Sequence, residues 1–200
     1  MSIAPILDFY SFDTSAIING RRDIFMPPTF DPIWLAIEDM VQSGQIAAVD
    51  EVRRELAKRS DDAFAWAKRC RGLFVPLDRD VQLATRQVLA AHPRLIGTGG
   101  GSRNSADPFV IALALARGGT VVTQETPRNI DKPRIPDVCD ALQVPWMTLP
   151  RFVAEQGWAI KIAWPDQAER DRNCRLTNLA TRDCRTNGRK RLNLREFHIS

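Results

Sequence analysis

The sequence predicts an α/β fold in which a central parallel sheet of about five strands is covered by helices on both faces. Three observations predict it. Short apolar runs alternate with amphipathic segments over residues 7–156, the β-α-β-α order of parallel strands joined by crossover helices. The runs are apolar at successive positions, as strands buried on both faces are. Phe109–Arg117, FVIALALAR, is apolar almost all round, which marks a buried central helix.

The elements follow in order. Leu7–Phe12 reads as a buried strand with aromatic flanks, and Asp13-Thr14-Ser15 turns it into a helix over 14–19. Gly20, Pro27 and Pro28 predict a loop or broken helix up to Asp31. Asp31-Pro32 opens the next helix with Asp as N-cap and Pro first in the helix; Ile33, Ala36, Ile37, Met40 and Val41 form its apolar face. Gln45–Val49 is a strand, and Asp50 caps a helix on which Glu51 and Glu55 share one face. A further helix spans 62–71, Leu73–Leu77 is a strand, and 80–91 is a helix ended by His92-Pro93. The loop GTGGGSRNS (97–105) lacks the Lys and the spacing of a phosphate-cradling loop. Asp107-Pro108 starts the buried helix, whose dipole favours an ionised Asp107. Thr120–Thr123 is a strand, 127–136 a basic loop, 137–142 a helix, 144–149 the last strand and 150–156 the last helix. Trp158–Trp164 adds an edge strand or a hydrophobic flap, and Trp34, Trp66 and Trp146 are expected in the core.

Two hundred residues, 44% hydrophobic and 26% charged, describe a globular chain. No apolar run reaches the roughly 18–20 residues that span a bilayer, and no secretory leader is evident at the start, so a cytoplasmic protein without membrane association is expected. Free thiols are the expectation for Cys70, Cys139, Cys174 and Cys184; Cys174, Cys184 and His198 match no common zinc spacing. Residues 1–165 carry 19 basic and 19 acidic side chains, whereas 166–200 carry 9 and 5. This divides the chain into a charge-balanced domain, 1–165, and a basic, weakly ordered extension, 166–200.

Four carboxylates stand at strand ends and helix starts: Asp13, Glu55, Asp107 and Glu125. Asp13 also suits a plain N-cap role. A doubly wound sheet gathers such positions at the carboxyl edges of its central strands. A carboxylate cluster without His or Cys suits hard cations such as Mg2+ or Mn2+.

The segments FDTSAIIN, VDEVRREL, SADPFVIALALA and TVVTQE resemble, in order, the four acidic motifs of PIN-domain ribonucleases, over residues 6–150. KPRIPDVCDALQVPWMTL resembles a bacterial PIN-like subfamily more than typical VapC toxins. The resemblance implies a three-layer α/β/α fold with strand order 3-2-1-4-5. It implies a metal-dependent endoribonuclease, the toxin of a type II toxin–antitoxin pair, with RNA as substrate, a small antitoxin as partner and a homodimeric state. Asp13, Glu55, Asp107 and Glu125 are then metal ligands and, with Thr123, the catalytic set; Thr123 would orient the attacking water. Glu125 stands where most of the family has Asp. Glu51 competes with Glu55, and Asp137 is a candidate outer ligand.

With bound metal no protein nucleophile is needed, in keeping with the lack of a Ser-His-Asp or Cys-His set. Arg21, Arg22, Arg103, Arg128, Lys132 and Arg134 are candidate phosphate contacts from loops. The alternative is a catalytically weak PIN-like protein that binds RNA or a partner. A phosphatase or nucleotide-binding protein would need a cradling loop beside a strand, which GTGGGS does not supply.

Overall fold

Tyr10–Phe12 (β1) is wholly buried and stands at the centre of the sheet. It pairs in parallel with Ile46–Val49 (β2) on one side and Thr120–Val122 (β4) on the other. Phe74–Val75 (β3) flanks β2, and Trp146–Met147 (β5) flanks β4. The order is therefore β3-β2-β1-β4-β5, all parallel, as expected. This is a computed structural model; it describes residues 8–59, 61–96, 106–129 and 131–159. The chain divides into two units between Trp158 and Ala159, and every element named here belongs to the first. The 97–105 loop with Arg103, the segment from residue 160 on, and Cys174, Cys184 and His198 lie outside the described residues.

Helices cover both faces of the sheet in three α/β/α layers. They are Thr14–Asn19 (α1), Asp31–Gln42 (α2), Asp50–Ala57 (α3), Asp62–Arg69 (α4), Arg79–Ala91 (α5), Asp107–Arg117 (α6), Ile135–Leu142 (α7) and Leu149–Glu155 (α8). α6 is the buried helix expected from its sequence. It packs on α5 and on β1, β2 and β4, and Ser11 Oγ donates to its Val110 carbonyl at 2.8 Å. Gly118, with φ +62°, ends α6 in the left-handed region where glycine meets no Cβ penalty. Gly119 then lets the backbones touch, because a Cβ there would strike the Phe9 carbonyl oxygen, which accepts Thr120 N–H at 2.8 Å.

Several boundaries differ from expectation. β3 and β5 are two residues each, since only that much of each apolar run is held in the ladder. Asp31 and Asp50 sit inside the first turns of their helices, and Phe30 and Val49 hold the cap positions. The charge of each Asp still complements the helix dipole. Trp34 and Trp66 are core residues, 2% exposed each. Trp146 is only half-buried on the edge strand, its indole N–H donating to Asp140 at 2.7 Å. Cys70 and Cys139 are buried free thiols.

Arg21 overturns the expectation of a loop contact. It lies in a π-helical turn, Gly20–Ile24, is 7% exposed, and stacks on the rings of both Trp34 and Trp66 at 4.9 and 5.2 Å. Its Nε and Nη2 donate to Asp62 at 2.9 and 2.8 Å. A planar guanidinium suits this place because it stacks on aromatic faces while its edge donors reach a carboxylate.

Candidate functional site

The chain leaves β1 toward β2 on one side and later returns to β4 on the other. The carboxyl ends of β1 and β4 therefore border a topological switch point, where such sheets bind ligands. Asp13 follows β1 directly. It N-caps α1 and also faces the cleft, so the cap role and the site role coincide. Its Oδ2 accepts hydrogen bonds from Ser15 N–H (3.1 Å), Ser15 Oγ (2.5 Å) and Thr123 Oγ1 (2.9 Å). Ser15 Oγ in turn accepts Gln124 N–H at 2.9 Å, and Thr123 Oγ1 accepts Glu125 N–H at 3.1 Å. The two hydroxyls thus bind the end of β1 to the end of β4.

Glu55 reaches the same place from α3. Its Oε2 accepts Thr14 Oγ1 at 2.7 Å and its Oε1 accepts Ala106 N–H at 3.0 Å, which ties α3 to α1 and to the start of α6. Asp107 opens α6 and is 5% exposed. Glu125 Oε2 accepts Ile135 N–H at 3.1 Å, at the start of α7. Asp13, Glu55, Asp107 and Glu125 line one cleft of about 370 Å³, together with Thr14, Ser15, Ile18, Asn19, Lys58 and Arg59.

The electrostatics are those of crowded acids. Burial raises the pKa of Asp13; hydrogen bonds from Ser15 and Thr123 offset part of this, and the Glu55 charge adds to it. Burial also raises Glu125, and the Asp13 charge pushes it further, against the Ile135 N–H bond and the Arg134 charge.

The other expected site residues fall elsewhere. Thr123 is fully buried, does not line the cleft, and gives its hydroxyl to Asp13, so it positions a carboxylate. Glu51 pairs with Arg54 at 2.9 Å, its Oε2 is buried without a hydrogen bond, and it is outside the cleft lining. Asp137, the candidate outer ligand, does not line the cleft. It accepts N–H bonds from Arg128 and Arg134 at 2.9–3.0 Å and so shapes the basic loop and caps α7. Lys58 and Arg59 escaped notice in the sequence. The signal was present: they stand three and four positions beyond Glu55, the helical spacing of one face.

Among the described residues, no three His, Cys, Asp or Glu side chains meet closely enough to chelate a metal. That is not the all-protein cage of structural zinc or calcium. Mg2+ asks for less, since it keeps several waters and takes one or two carboxylates plus substrate phosphate. The donor set, oxygen only and rich in carboxylate, fits such a hard cation.

Residues 10–160 match the family model described as Domain of unknown function (DUF4411). The chain belongs to the DUF4411 family. All four cleft carboxylates, and every strand of the sheet, fall within the DUF4411 match. No curated protein matches the chain.

Proposed function

We propose that this DUF4411 protein is a PIN-type, Mg2+- or Mn2+-dependent endoribonuclease that hydrolyses RNA phosphodiester bonds. One observation carries this reading: four carboxylates from four separate segments line one cleft at the switch point, where burial first, and the charge of a neighbouring carboxylate second, raise the pKa of Asp13 and Glu125. A divalent cation supplies the missing countercharge. One or two of Asp13, Glu55, Asp107 and Glu125 would hold it directly and the others through its waters. Bound there, it supplies Lewis acidity toward a phosphoryl oxygen and toward water. The chain's own part is to hold the acids in place. Ser15 and Thr123 fix the Asp13 carboxylate, Thr14 and Ala106 N–H fix Glu55, and Ile135 N–H fixes Glu125.

Cleavage of a mixed RNA pool by the purified protein tests this, with Mg2+ or Mn2+, then with EDTA, wild type beside Asp13→Asn. Cleavage that needs metal and vanishes in the variant supports the nuclease. Cleavage that survives Asp13→Asn contradicts it. The toxin role, a small antitoxin partner and a homodimer belong to the same proposal; a neighbouring antitoxin-like reading frame and a two-subunit mass in solution are their tests.

A second reading, an RNA- or partner-binding protein with weak catalysis, is favoured by the spacing of the carboxylates, no three of which meet at chelating distance among the described residues. RNA binding without cleavage by wild type in either metal selects it.

A further inference from the structure

Four basic residues lie on α3 or just beyond it, and the fold uses them differently. Arg53 reaches Asp50 at 3.9 Å and Arg54 reaches Glu51 at 2.9 Å, both as i,i+3 pairs with exposed guanidinium groups. Lys58 and Arg59 instead line the carboxylate cleft at the helix's C-terminal end. The helix dipole favours a cation there, which accounts for basic character but not for two cations set beside the acids. Arg59 forms none of the ion pairs seen among the described residues.

Topology fixes the side on which these cations stand. α3 follows β2, on one side of Asp13, while Glu125 follows β4, on the other. The cleft thus has an acidic floor and, on the β2 side, a basic wall. A polyanion is repelled by such a floor unless phosphates beside the reacting one meet cations. The volume of about 370 Å³ is that of a nucleotide-sized segment, such as one an unpaired strand presents.

We propose that Lys58 and Arg59 form the binding wall for single-stranded RNA, holding phosphates that flank the one presented to the carboxylates. Lys58 acts as a point charge and Arg59 as a two-pronged donor to phosphate oxygens. The inference rests on the nuclease reading for its substrate class, and binding measured without turnover separates the two.

The experiment is fluorescence anisotropy of the full chain with a labelled single-stranded RNA oligonucleotide in Ca2+, over a series of salt concentrations. Wild type is compared with Lys58→Gln/Arg59→Gln and with Arg53→Gln/Lys68→Gln, which removes the same charge from residues outside the cleft lining. Circular dichroism melts confirm that both variants fold. Loss of the cleft pair should weaken binding about tenfold and reduce the log–log salt slope by roughly 1.4, the value for two single-strand phosphate contacts. The control pair should stay within about twofold of wild type, and Arg59→Lys should recover part of the loss. Equal weakening by both double variants, no weakening by the cleft pair, or no binding by wild type overturns the proposal. Binding that depends on the pair in a protein that cuts no RNA would sink the nuclease reading and leave this one standing. Asp13-dependent cleavage that ignores the pair would do the reverse.

Discussion

Arg21 and Asp13 are both buried charges, 7% and 3% exposed, and the fold treats them in opposite ways. Arg21 is completed from within: two indole faces and the Asp62 carboxylate meet its charge and its donors. Asp13 receives only hydroxyl and backbone donors, and its charged neighbours in the cleft include Glu55 and Glu125, of the same sign. A charge kept for structure is neutralised where it lies. A charge kept for a ligand is hydrogen-bonded into place and left short of countercharge, so that the ligand completes it.

The largest effect that sharpens this contrast is at Asp13. Asp13→Asn should reduce metal-dependent RNA cleavage by on the order of a hundredfold or more, beyond the tenfold to hundredfold typical of residues behind a metal ligand. In metal-free buffer the same variant should melt a few degrees higher than wild type, because a penalised buried charge is gone.

The sign of the pH dependence follows. The Asp13 and Glu125 carboxyls have folded pKa values above their unfolded ones. At a pH between the two values the folded state binds more protons, so these groups favour folding most at low pH. That contribution falls as pH rises from the unfolded values, 3.8 and 4.5, through the raised folded ones. Melting temperature against pH, with and without Mg2+, should show the added metal stabilising most above that window. Asp13→Asn and Glu125→Gln should each flatten the difference.

Arg21→Ala breaks the other side of the comparison. It empties the space between two indoles and should cost roughly 2–3 kcal/mol by urea unfolding. Cleavage per folded molecule should change little. Asp62→Asn should cost less than about 1 kcal/mol, since the Asp62 side chain is 66% exposed and solvent screens the pair.

Thr123→Val is a subtler break. It keeps shape and burial but removes the hydroxyl from Asp13 and from Glu125 N–H. Cleavage should fall by about tenfold to a hundredfold, and Thr123→Ser should restore most of it.

Much of the contrast was legible in the sequence on one side only. Asp13 and Glu125 could be seen because each stands within a few residues of a buried apolar run, and the doubly wound order then brings those ends together. The burial of α6 was legible from its unbroken apolar face. Arg21 was not, because a Gly-Arg-Arg-Asp turn reads as solvent-facing while its partners Trp34, Asp62 and Trp66 lie far along the chain. The role of Thr123 was hidden for a similar reason. Its motif is local, but the direction of its hydroxyl depends on where β1 ends beside β4. The two-residue lengths of β3 and β5 depend on ladder pairing with neighbours that composition does not reveal.

The proposed nuclease requires that the carboxylate cleft bind a divalent cation. Mn2+ titration followed by electron paramagnetic resonance, on wild type and Asp13→Asn, tests it most directly. The account predicts saturable binding by wild type that weakens at least tenfold in the variant, as loss of a ligand should do. Mn2+ binding of equal strength in both proteins, or none in wild type, would contradict it.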